Sequence, residues 1–367
     1  MQSVSCSGLL DGVFVKPTLT PQRILIRAPN WVGDLVMATS AFARIRASFP
    51  QAEIICGLRP YLRSLLSGSG YFDDFVETPK AEGMRDLLAQ ARELRQRQCD
   101  LAIVLPNSLE TALLVRLAGI PRRLGYKQGR PFLMNLGAYA PSAQGWGGLL
   151  SRRTPEPMPE YYRKLLDLID LPAGPLATEL FVTEEERRAC AAWLAERGVD
   201  DEDLVVTVNA GASFGASKLW DPEKFAGVAR ELQERHGAAV VLLSGPGDVD
   251  MVRGIAEESG ALAVVDPVLP VGMVKPMVAR SSALITVDSG PRHVGVALGV
   301  PLVCLIGPND PRYTNYGLEK TTLIRKDIEC SPCQEKVCPL GHRRCMTMIE
   351  VDEVVDATVA LLDKYGR

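Results

Sequence analysis

Four polar side chains in this sequence have the types and positions needed to bind an anionic ligand and to move a proton. Asp34 and Asp288 each follow a short apolar run, Lys218 lies just after a glycine-bearing loop, and His293 lies five residues after Asp288. A carboxylate can accept a proton, a lysine carries a compact positive charge, and a histidine can change its protonation near neutral pH. These residues can act together only if the fold brings their segments to one place.

The segment Ala283–Pro311 predicts how Asp288 and His293 are positioned. Ala283–Val287 and Leu302–Ile306 are apolar runs typical of buried parallel strands, and a helical segment lies between them. Ligands lie at the carboxyl ends of the strands in open α/β sheets, and helix N-termini favour anions. We therefore expect Asp288 at the ligand edge and His293 about one turn into the helix. The alternative is that Asp288 only caps the helix and that His293 packs in the core.

The first strand and turn predict a similar position for Asp34. Arg23–Ala28 is a strand candidate. The helix after it has apolar residues at three- and four-residue spacing, namely Leu35, Ala38, Phe42, Ile45 and Phe49. The single Gly33 is not the G-x-G-x-x-G pattern of dinucleotide-binding turns, which disfavours a nicotinamide site. By itself, Asp34 is more typical of a helix cap than of a catalyst.

A glycine-bearing loop after the predicted strand Leu204–Asn209 is a candidate phosphate site. Such a loop lets backbone amides approach a phosphate, and Lys218 would add a positive charge. A second turn, Ser244–Asp248, follows the predicted strand Val240–Leu243. This turn either lies near a nucleotide base or is simply a tight turn.

Strands and helices alternate along the chain, which predicts an α/β fold with doubly wound, mostly parallel sheets. The remaining strand candidates in the first half are Glu53–Gly57, Asp74–Glu77 and Asp100–Leu105, with a helix over Met84–Gln98. Proline-rich segments around one amphipathic helix place a domain boundary near Ala173. We expect an N-terminal extension over residues 1–22, a first Rossmann-like domain over 23–173, a second over 174–350, and a C-terminal helix over 351–367 that packs back on the sheets.

Composition disfavours several classes of protein. The chain has 367 residues, enough for two domains, and 47% of them are hydrophobic. The formal net charge of −3 disfavours a nucleic-acid binder. The apolar runs are shorter than the roughly 18 residues that a membrane span needs, and residues 1–22 lack the regions of a signal peptide. Nine cysteines without an export signal indicate a reducing compartment.

A basic stretch runs from Arg116 to Arg153, with seven Arg or Lys residues and no Asp or Glu. It is rich in Gly, Pro and aromatic residues, and we expect it to be a long irregular segment, which is usually functional or disordered. It predicts either a solvated loop or a basic, aromatic-bearing surface for a phosphorylated or carboxylated acceptor.

Four cysteines lie close together near the C-terminus with the spacing C-x2-C-x4-C-x6-C, namely Cys330, Cys333, Cys338 and Cys345. Four such thiols in a reducing compartment are typical of a structural, tetrahedral Zn²⁺ site. The spacing departs from paired C-x2-C motifs, so labile disulfides, an iron–sulfur cluster or four unligated thiols remain alternatives. Most of the other five cysteines are expected to be core thiols.

Three motifs resemble those of the lipopolysaccharide heptosyltransferases, glycosyltransferase family 9. They are DSGPRH with GVPLVCLIGPNDP after it, APNWVGDLVMATSAF, and NAGASFGASKLW. The resemblance covers nearly the whole chain from about Arg23 and implies the glycosyltransferase B fold, in which two Rossmann-like domains face a central cleft. It implies that Asp34 is the catalytic base. The donor-binding residues would be Ser213, Lys218, Asp288, Ser289, Gly290 and His293. The acceptor-binding candidates are Asn30 and Trp31 in the second of these motifs and, from the charge of the basic stretch, Arg122, Arg123 and Lys127.

The resemblance also implies a reaction. ADP-L-glycero-D-manno-heptose would be the donor, the lipid A–Kdo inner core at the inner face of a membrane would be the acceptor, and the transfer would invert the anomeric centre without a catalytic metal. The cysteine cluster would at most hold a structural zinc. Two alternatives remain: another enzyme of this fold, such as a different heptosyltransferase or a sugar-nucleotide epimerase, and a non-catalytic nucleotide-sugar binding protein.

Overall fold

The computed structural model describes residues 19–140, 154–212, 215–265 and 271–366, which form two parallel α/β sheets. The first sheet has five strands in the order β3-β2-β1-β4-β5. Its strands are β1 (Arg23–Arg27), β2 (Glu53–Leu58), β3 (Asp74–Glu77), β4 (Leu101–Val104) and β5 (Arg122–Leu124). Its helices are α1 (Val32–Met37), α2 (Thr39–Ser48), α3 (Met84–Gln96), α4 (Leu109–Leu117) and α5 (Met158–Asp167).

Helices cover both faces of this sheet, which is why its central strands are continuous apolar runs. Phe42 and Ile45 of α2 pack on one face together with α5. Leu87 and Leu94 of α3 pack on the other face, beside α4. The apolar face predicted after β1 is therefore buried, although the helix is interrupted at Ala38 and forms two segments.

The second sheet has six parallel strands in the order β11-β10-β9-β6-β7-β8. Its strands are β6 (Val205–Asn209), β7 (Ala239–Leu243), β8 (Leu262–Val264), β9 (Ala283–Val287), β10 (Leu302–Ile306) and β11 (Thr321–Arg325). Its helices are α6 (Glu184–Ala195), α7 (Pro222–His236), α8 (Val249–Ser259), α9 (Val271–Arg280), α10 (Gly290–Leu298), α11 (Arg344–Thr347) and α12 (Val351–Tyr365).

The C-terminal helix α12 packs on the second sheet. It contacts β9, β10, β11 and α7, and Val354, Val355 and Leu361 belong to that core. The predicted α/β class with two Rossmann-like domains is confirmed. The predicted division at residues 173 and 174 falls between α5 and α6.

Each sheet has a topological switch point, where the strand order reverses and a crevice opens at the carboxyl ends. In the first sheet it lies between β1 and β4, and in the second between β6 and β9. Helix α1 follows β1 and helix α10 follows β9, and these two helices contact each other. The carboxyl edges of the two sheets therefore face each other across the α1–α10 contact.

The basic stretch is less irregular than the sequence predicts. It contains the end of α4 and the short edge strand β5, and the Arg130 side chain within it is buried. Arg130 donates to the main-chain oxygens of Tyr126 and Ser108. The strand escapes sequence analysis because its two arginines do not form an apolar run. The segment 141–153 lies outside the described residues.

In the part of the chain that the structure describes, every helix is too short or too polar to cross a bilayer.

Candidate functional site

A cluster of charged side chains lies at the switch point of the second sheet, centred on the carboxylate of Asp288. Lys218 donates from Nζ to the main-chain oxygen of Asp288 at 2.6 Å and lies 3.4 Å from its Oδ2. Arg292 donates from Nη1 to Oδ1 at 2.6 Å, and Asn309 donates from Nδ2 to Oδ2 at 2.6 Å. Asp288 therefore holds a lysine, an arginine and an amide in one place.

The sequence explains how these groups converge. Asp288 follows β9, and Arg292 lies four residues later, on the same face of the first turn of α10. Lys218 ends a short 3₁₀ turn after β6, and Asn309 follows β10. Because β6, β9 and β10 are adjacent and parallel, their carboxyl ends bring these segments to one crevice.

The cluster carries an excess of positive charge. Lys218, Asp288 and Arg292 are all buried, and two cations face one carboxylate. Burial alone would raise the pKa of Asp288, but the charges of Lys218 and Arg292 outweigh it and hold that pKa well below its usual range. The crevice is thus suited to an anionic ligand.

Asn209 connects the two loops that border the crevice. Its side-chain amide lies 3.0 Å from the main-chain oxygen of Gly211, 3.2 Å from the hydroxyl of Thr286 and 3.0 Å from the hydroxyl of Ser289. The structure thus places Ser289 as a hydrogen-bond partner of the scaffold at the start of α10. Ser213 lies outside the described residues.

His293 lies beside the cluster and is neutral. Its ring is buried, and burial together with the charge of Arg292 lowers its pKa to about 3. Nδ1 lies 2.8 Å from the hydroxyl of Tyr316, and the two rings are parallel with centroids 5.7 Å apart. The neutral ring can serve as a hydrogen-bond donor or acceptor but not as a cation.

Two glycines allow α10 and α1 of the first domain to approach closely. A Cβ atom on Gly33 would lie 2.7 Å from Cδ2 of His293, and one on Gly290 would lie 2.9 Å from Cβ of Val32. A side chain at either position would push the two helices apart. Asp34 is the residue after Gly33, so its carboxylate lies at the contact between the sheets and acts electrostatically on Tyr316.

The arrangement brings a carboxylate of the first domain opposite a cationic crevice of the second. Comparison with known proteins identifies the family. The model for glycosyltransferase family 9 (heptosyltransferase) matches residues 87–343.

The chain belongs to this family.

Relatives match over nearly the full length of this glycosyltransferase. Lipopolysaccharide heptosyltransferase 2 of Salmonella typhimurium is 26% identical over 352 residues, which are 94% of this chain and 99% of the relative. The structure of the E. coli ADP-heptose lipopolysaccharide heptosyltransferase II is 27% identical, with a TM-score of 0.76 over 93% of this chain and 99% of that one. A family 9 glycosyltransferase of Veillonella parvula is 22% identical, with a TM-score of 0.79 over 95% of this chain and 99% of that one, and it shares the fold.

Sequence analysis of this glycosyltransferase gave no role to three residues of the site: Arg292, Asn309 and Tyr316. Arg292 could have been found from its i,i+4 spacing to Asp288. The Asp248 carboxylate lies against Gly211, where a Cβ would come within 2.1 Å of it, and burial raises its pKa. The Ser244–Asp248 turn therefore borders the same crevice. Tyr316 lies in a loop without any periodic pattern, so the sequence has no signal for it.

The predicted acceptor residues fall into two groups. Asn30 and Trp31 lie at the carboxyl edge of the first sheet, where Asn30 accepts a hydrogen bond from Arg27 at 2.6 Å and Trp31 is 61% exposed. Lys127 follows β5, also toward that edge.

Arg122 and Arg123 are placed differently. They pair in register with Leu101 and Ala102, at the amino end of β4 and hence away from Asp34. The Arg123 guanidinium donates to the main-chain oxygens of Ile120 and Leu133, so it holds its own loop together. This geometry does not favour an acceptor contact for either arginine.

Two arginines that the sequence did not single out lie at the carboxyl edge of the first sheet. Arg59 donates to the main-chain oxygen of Thr78 at 2.9 Å and lies 3.4 Å from Glu110. Arg63 lies over the ring of Phe75, at 5.3 Å from its centroid, and borders an open cavity of about 530 Å³. Both follow β2, whose carboxyl end is adjacent to that of β1.

The four clustered cysteines line one small cavity together with His342. Cys345 is buried, and burial and the nearby thiols raise its pKa. Backbone amides around Cys338, the first being that of Arg343, lower the pKa of the Cys338 thiol. In the described part of the chain, no three His, Cys, Asp or Glu side chains are arranged to hold a metal ion. The zinc site stays a prediction.

The cysteine loop, residues 330–345, packs directly on the loop that carries Lys218. The main-chain amide of Ser217 donates to the oxygen of Lys336 at 3.1 Å, and the Ser217 hydroxyl donates to the oxygen of Glu335 at 2.5 Å. Arg343 donates to the oxygen of Leu219 at 3.1 Å. The cysteine loop therefore supports the Lys218 loop from outside.

Proposed function

We propose that this protein transfers heptose from ADP-heptose onto the heptose–Kdo inner core of lipid A, the step named heptosyltransferase 2 in its relatives. One observation carries the proposal: Gly33, the residue before Asp34, packs against His293, beside a buried crevice in which Lys218 and Arg292 face the carboxylate of Asp288. A sugar diphosphate and an attacking hydroxyl need this pair of environments. The family membership and the names of the full-length relatives support the choice of sugar.

The second sheet would bind the donor. The charges of Lys218 and Arg292 and the positive end of α10 would attract the diphosphate. As the bond between the sugar and ADP breaks, negative charge grows on the leaving phosphate. The interaction with Lys218 then strengthens, so the cluster stabilises the transition state more than the ground state. These groups supply the positive charge at the leaving group, and we propose that no catalytic metal is needed.

Asp34 would take the proton from the acceptor hydroxyl as that oxygen attacks the anomeric carbon. Attack opposite to the leaving ADP inverts the anomeric centre through an oxocarbenium-like transition state, as in glycoside chemistry. His293, neutral and beside the cluster, would donate a hydrogen bond to a phosphate or sugar oxygen. Asp288 accepts three contacts from the protein. Its contact to donor hydroxyls therefore remains a proposal that the free lone pairs of its oxygens allow.

The first sheet would bind the acceptor. Its carboxyl edge has two arginines, Arg59 and Arg63, Lys127, and the exposed rings of Trp31 and Tyr61, which are 61% and 48% exposed. Arginine pairs well with carboxylates and phosphates, and exposed aromatic rings are suited to an amphipathic partner. An acidic sugar core attached to a lipid has both properties. We propose that the enzyme works peripherally at the inner face of the membrane that holds this acceptor.

A turnover assay with purified protein tests the proposal. ADP-heptose is offered with two truncated lipopolysaccharides, one that ends in Kdo and one that already carries the first heptose. We expect ADP release and heptose addition on the second acceptor, and neither in the Asp34→Asn variant. Transfer only to the Kdo-terminated acceptor would assign an earlier step. Tight ADP-heptose binding without transfer to either acceptor would indicate a nucleotide-sugar binding protein.

A further inference from the structure

Tyr316 is the residue that fixes the ring of His293. It lies in the loop between β10 and β11, its hydroxyl is 2.8 Å from Nδ1 of His293, and the two ring planes differ by 1°. Burial raises the pKa of the Tyr316 phenol, so the hydroxyl keeps its proton. The hydrogen bond at Nδ1 on one edge of the ring and the close approach of Gly33 on the other edge leave the imidazole little freedom to rotate.

The direction of this hydrogen bond follows from the two groups. The lone pair of a neutral imidazole is a much better proton acceptor than a phenol oxygen, and the phenol is the more acidic donor. The phenol proton then goes to Nδ1, and the ring proton must be on Nε2.

The other edge of the ring faces the first domain. A Cβ atom on Gly33 would lie 2.7 Å from Cδ2 and 3.3 Å from Nε2 of His293. The Nε2 edge is thus turned toward the residue that precedes Asp34, where donor and acceptor must meet.

We propose that Tyr316 is a positioning residue that holds His293 as its Nε2–H tautomer, with this N–H directed into the contact between the two sheets. The tautomer itself is a property of the resting protein. Its role rests on the proposed function: a fixed N–H at this place can donate to an oxygen of the donor as charge develops there, at no cost of reorganisation. The other tautomer would present a lone pair to the same oxygen and repel it.

Nitrogen NMR of the full-length protein tests the tautomer without any substrate. The chain has three histidines, so protein labelled with nitrogen-15 histidine gives three ring systems. His236→Gln and His342→Gln identify the other two. We expect His293 at pH 7 to be neutral with its proton on Nε2, and Tyr316→Phe to shift the ring toward a mixture of tautomers while the neighbouring aromatic ring remains. Tyr313→Phe, the same change three residues earlier, should leave the spectrum of His293 unchanged.

Kinetics then test the role. Loss of one neutral hydrogen bond in Tyr316→Phe should lower kcat by about 2- to 12-fold. Tyr313→Phe should stay near the wild type. Wild-type protein with the proton of His293 on Nδ1, or a Tyr316→Phe spectrum identical to the wild type, would overturn the proposal. A protein with the expected tautomer that transfers no heptose would instead contradict the proposed function.

Discussion

The carboxyl edges of the two sheets differ in how their charged side chains are partnered. On the second sheet, Lys218, Asp288 and Arg292 are buried and bonded to one another before any ligand binds. On the first sheet, Arg63 contacts an aromatic ring beside an open cavity, and Trp31 projects into solvent. The side chains of the proposed donor side thus bond to one another, whereas those of the proposed acceptor side are more open to solvent. Substitutions on the two sides should therefore have effects of different size, and should change different measured quantities.

The largest expected effect comes from the residue between the two sides. Asp34→Asn keeps the shape of the side chain but removes the proton acceptor, so kcat should fall by about 10²–10⁴. Because the proposed donor contacts are on the second sheet, ADP-heptose binding by calorimetry should stay within a few-fold of the wild type. Near-normal turnover would show that Asp34 is not the base, but it would not contradict the proposed donor site.

Asp288→Asn should destabilise the charged cluster of the second sheet. It leaves two buried cations without their carboxylate, and breaking a buried ion pair in this way costs about 3–5 kcal/mol of unfolding free energy. Since the pKa of Asp288 is lowered in the folded protein, the stability it contributes is present above its ordinary value of 3.8 and is lost as the pH falls below it. Denaturant unfolding at pH 7 and at acid pH measures the loss of unfolding free energy in the variant and its dependence on pH. A variant as stable as the wild type at pH 7 would contradict the inferred role of the carboxylate.

Lys218→Ala should lower donor affinity as well as rate. A charge-assisted hydrogen bond contributes about 1.5–3 kcal/mol, so its loss should raise the dissociation constant for ADP-heptose by roughly 10- to 150-fold. Lys224→Ala is the matched control, because this lysine also donates to main-chain oxygens of the second domain, those of Thr347 and Ile349, but lies on α7. Equal donor affinities in the two variants would show that Lys218 only stabilises the fold.

The donor side was predictable from sequence because its residues follow apolar strands. Asp288 and Lys218 lie where parallel strands end, and strand periodicity alone places them at one edge. The partners of Asp288 were not predictable to the same extent, because a contact such as that of Asn309 depends on how three loops converge. Tyr316 shows the limit most clearly: its loop has no periodicity, and only the fold brings it to His293.

The acceptor side was harder to predict for a different reason. Net charge along the sequence drew attention to Arg122 and Arg123, which lie on β5 beside the amino end of β4 and away from Asp34. Arg59 and Arg63 follow a strand that the sequence did predict, yet isolated arginines after a strand have no distinctive spacing. Charge density in sequence is thus a weaker guide to a surface than strand ends are to a buried site.

Because Arg63 borders an open cavity, its substitution should change the acceptor KM only modestly. Arg63→Ser should raise the acceptor KM by about two- to fivefold, the size of an exposed charge contact, and high salt should reduce the difference. Arg122→Ser, at the opposite end of the first sheet, is the control and should leave the acceptor KM unchanged. Neither variant should alter ADP-heptose affinity. A larger rise of the acceptor KM in Arg122→Ser than in Arg63→Ser would indicate that the acceptor binds at the basic stretch.

The smallest expected effect on rate concerns the cysteine loop, which supports the donor side without entering it. Four thiols that line one cavity would bind zinc as thiolates in a closed, structural site, and such a site contributes folding stability. We expect elemental analysis of freshly purified protein to find about one zinc per chain, and a chelator to lower Tm more than it lowers the initial rate. Because Ser217 next to Lys218 bonds to this loop, metal removal should also weaken ADP-heptose binding slightly more than acceptor binding. Four titratable thiols and no metal would exclude the zinc site. Hydrogen bonds alone would then connect the cysteine loop to the Lys218 loop.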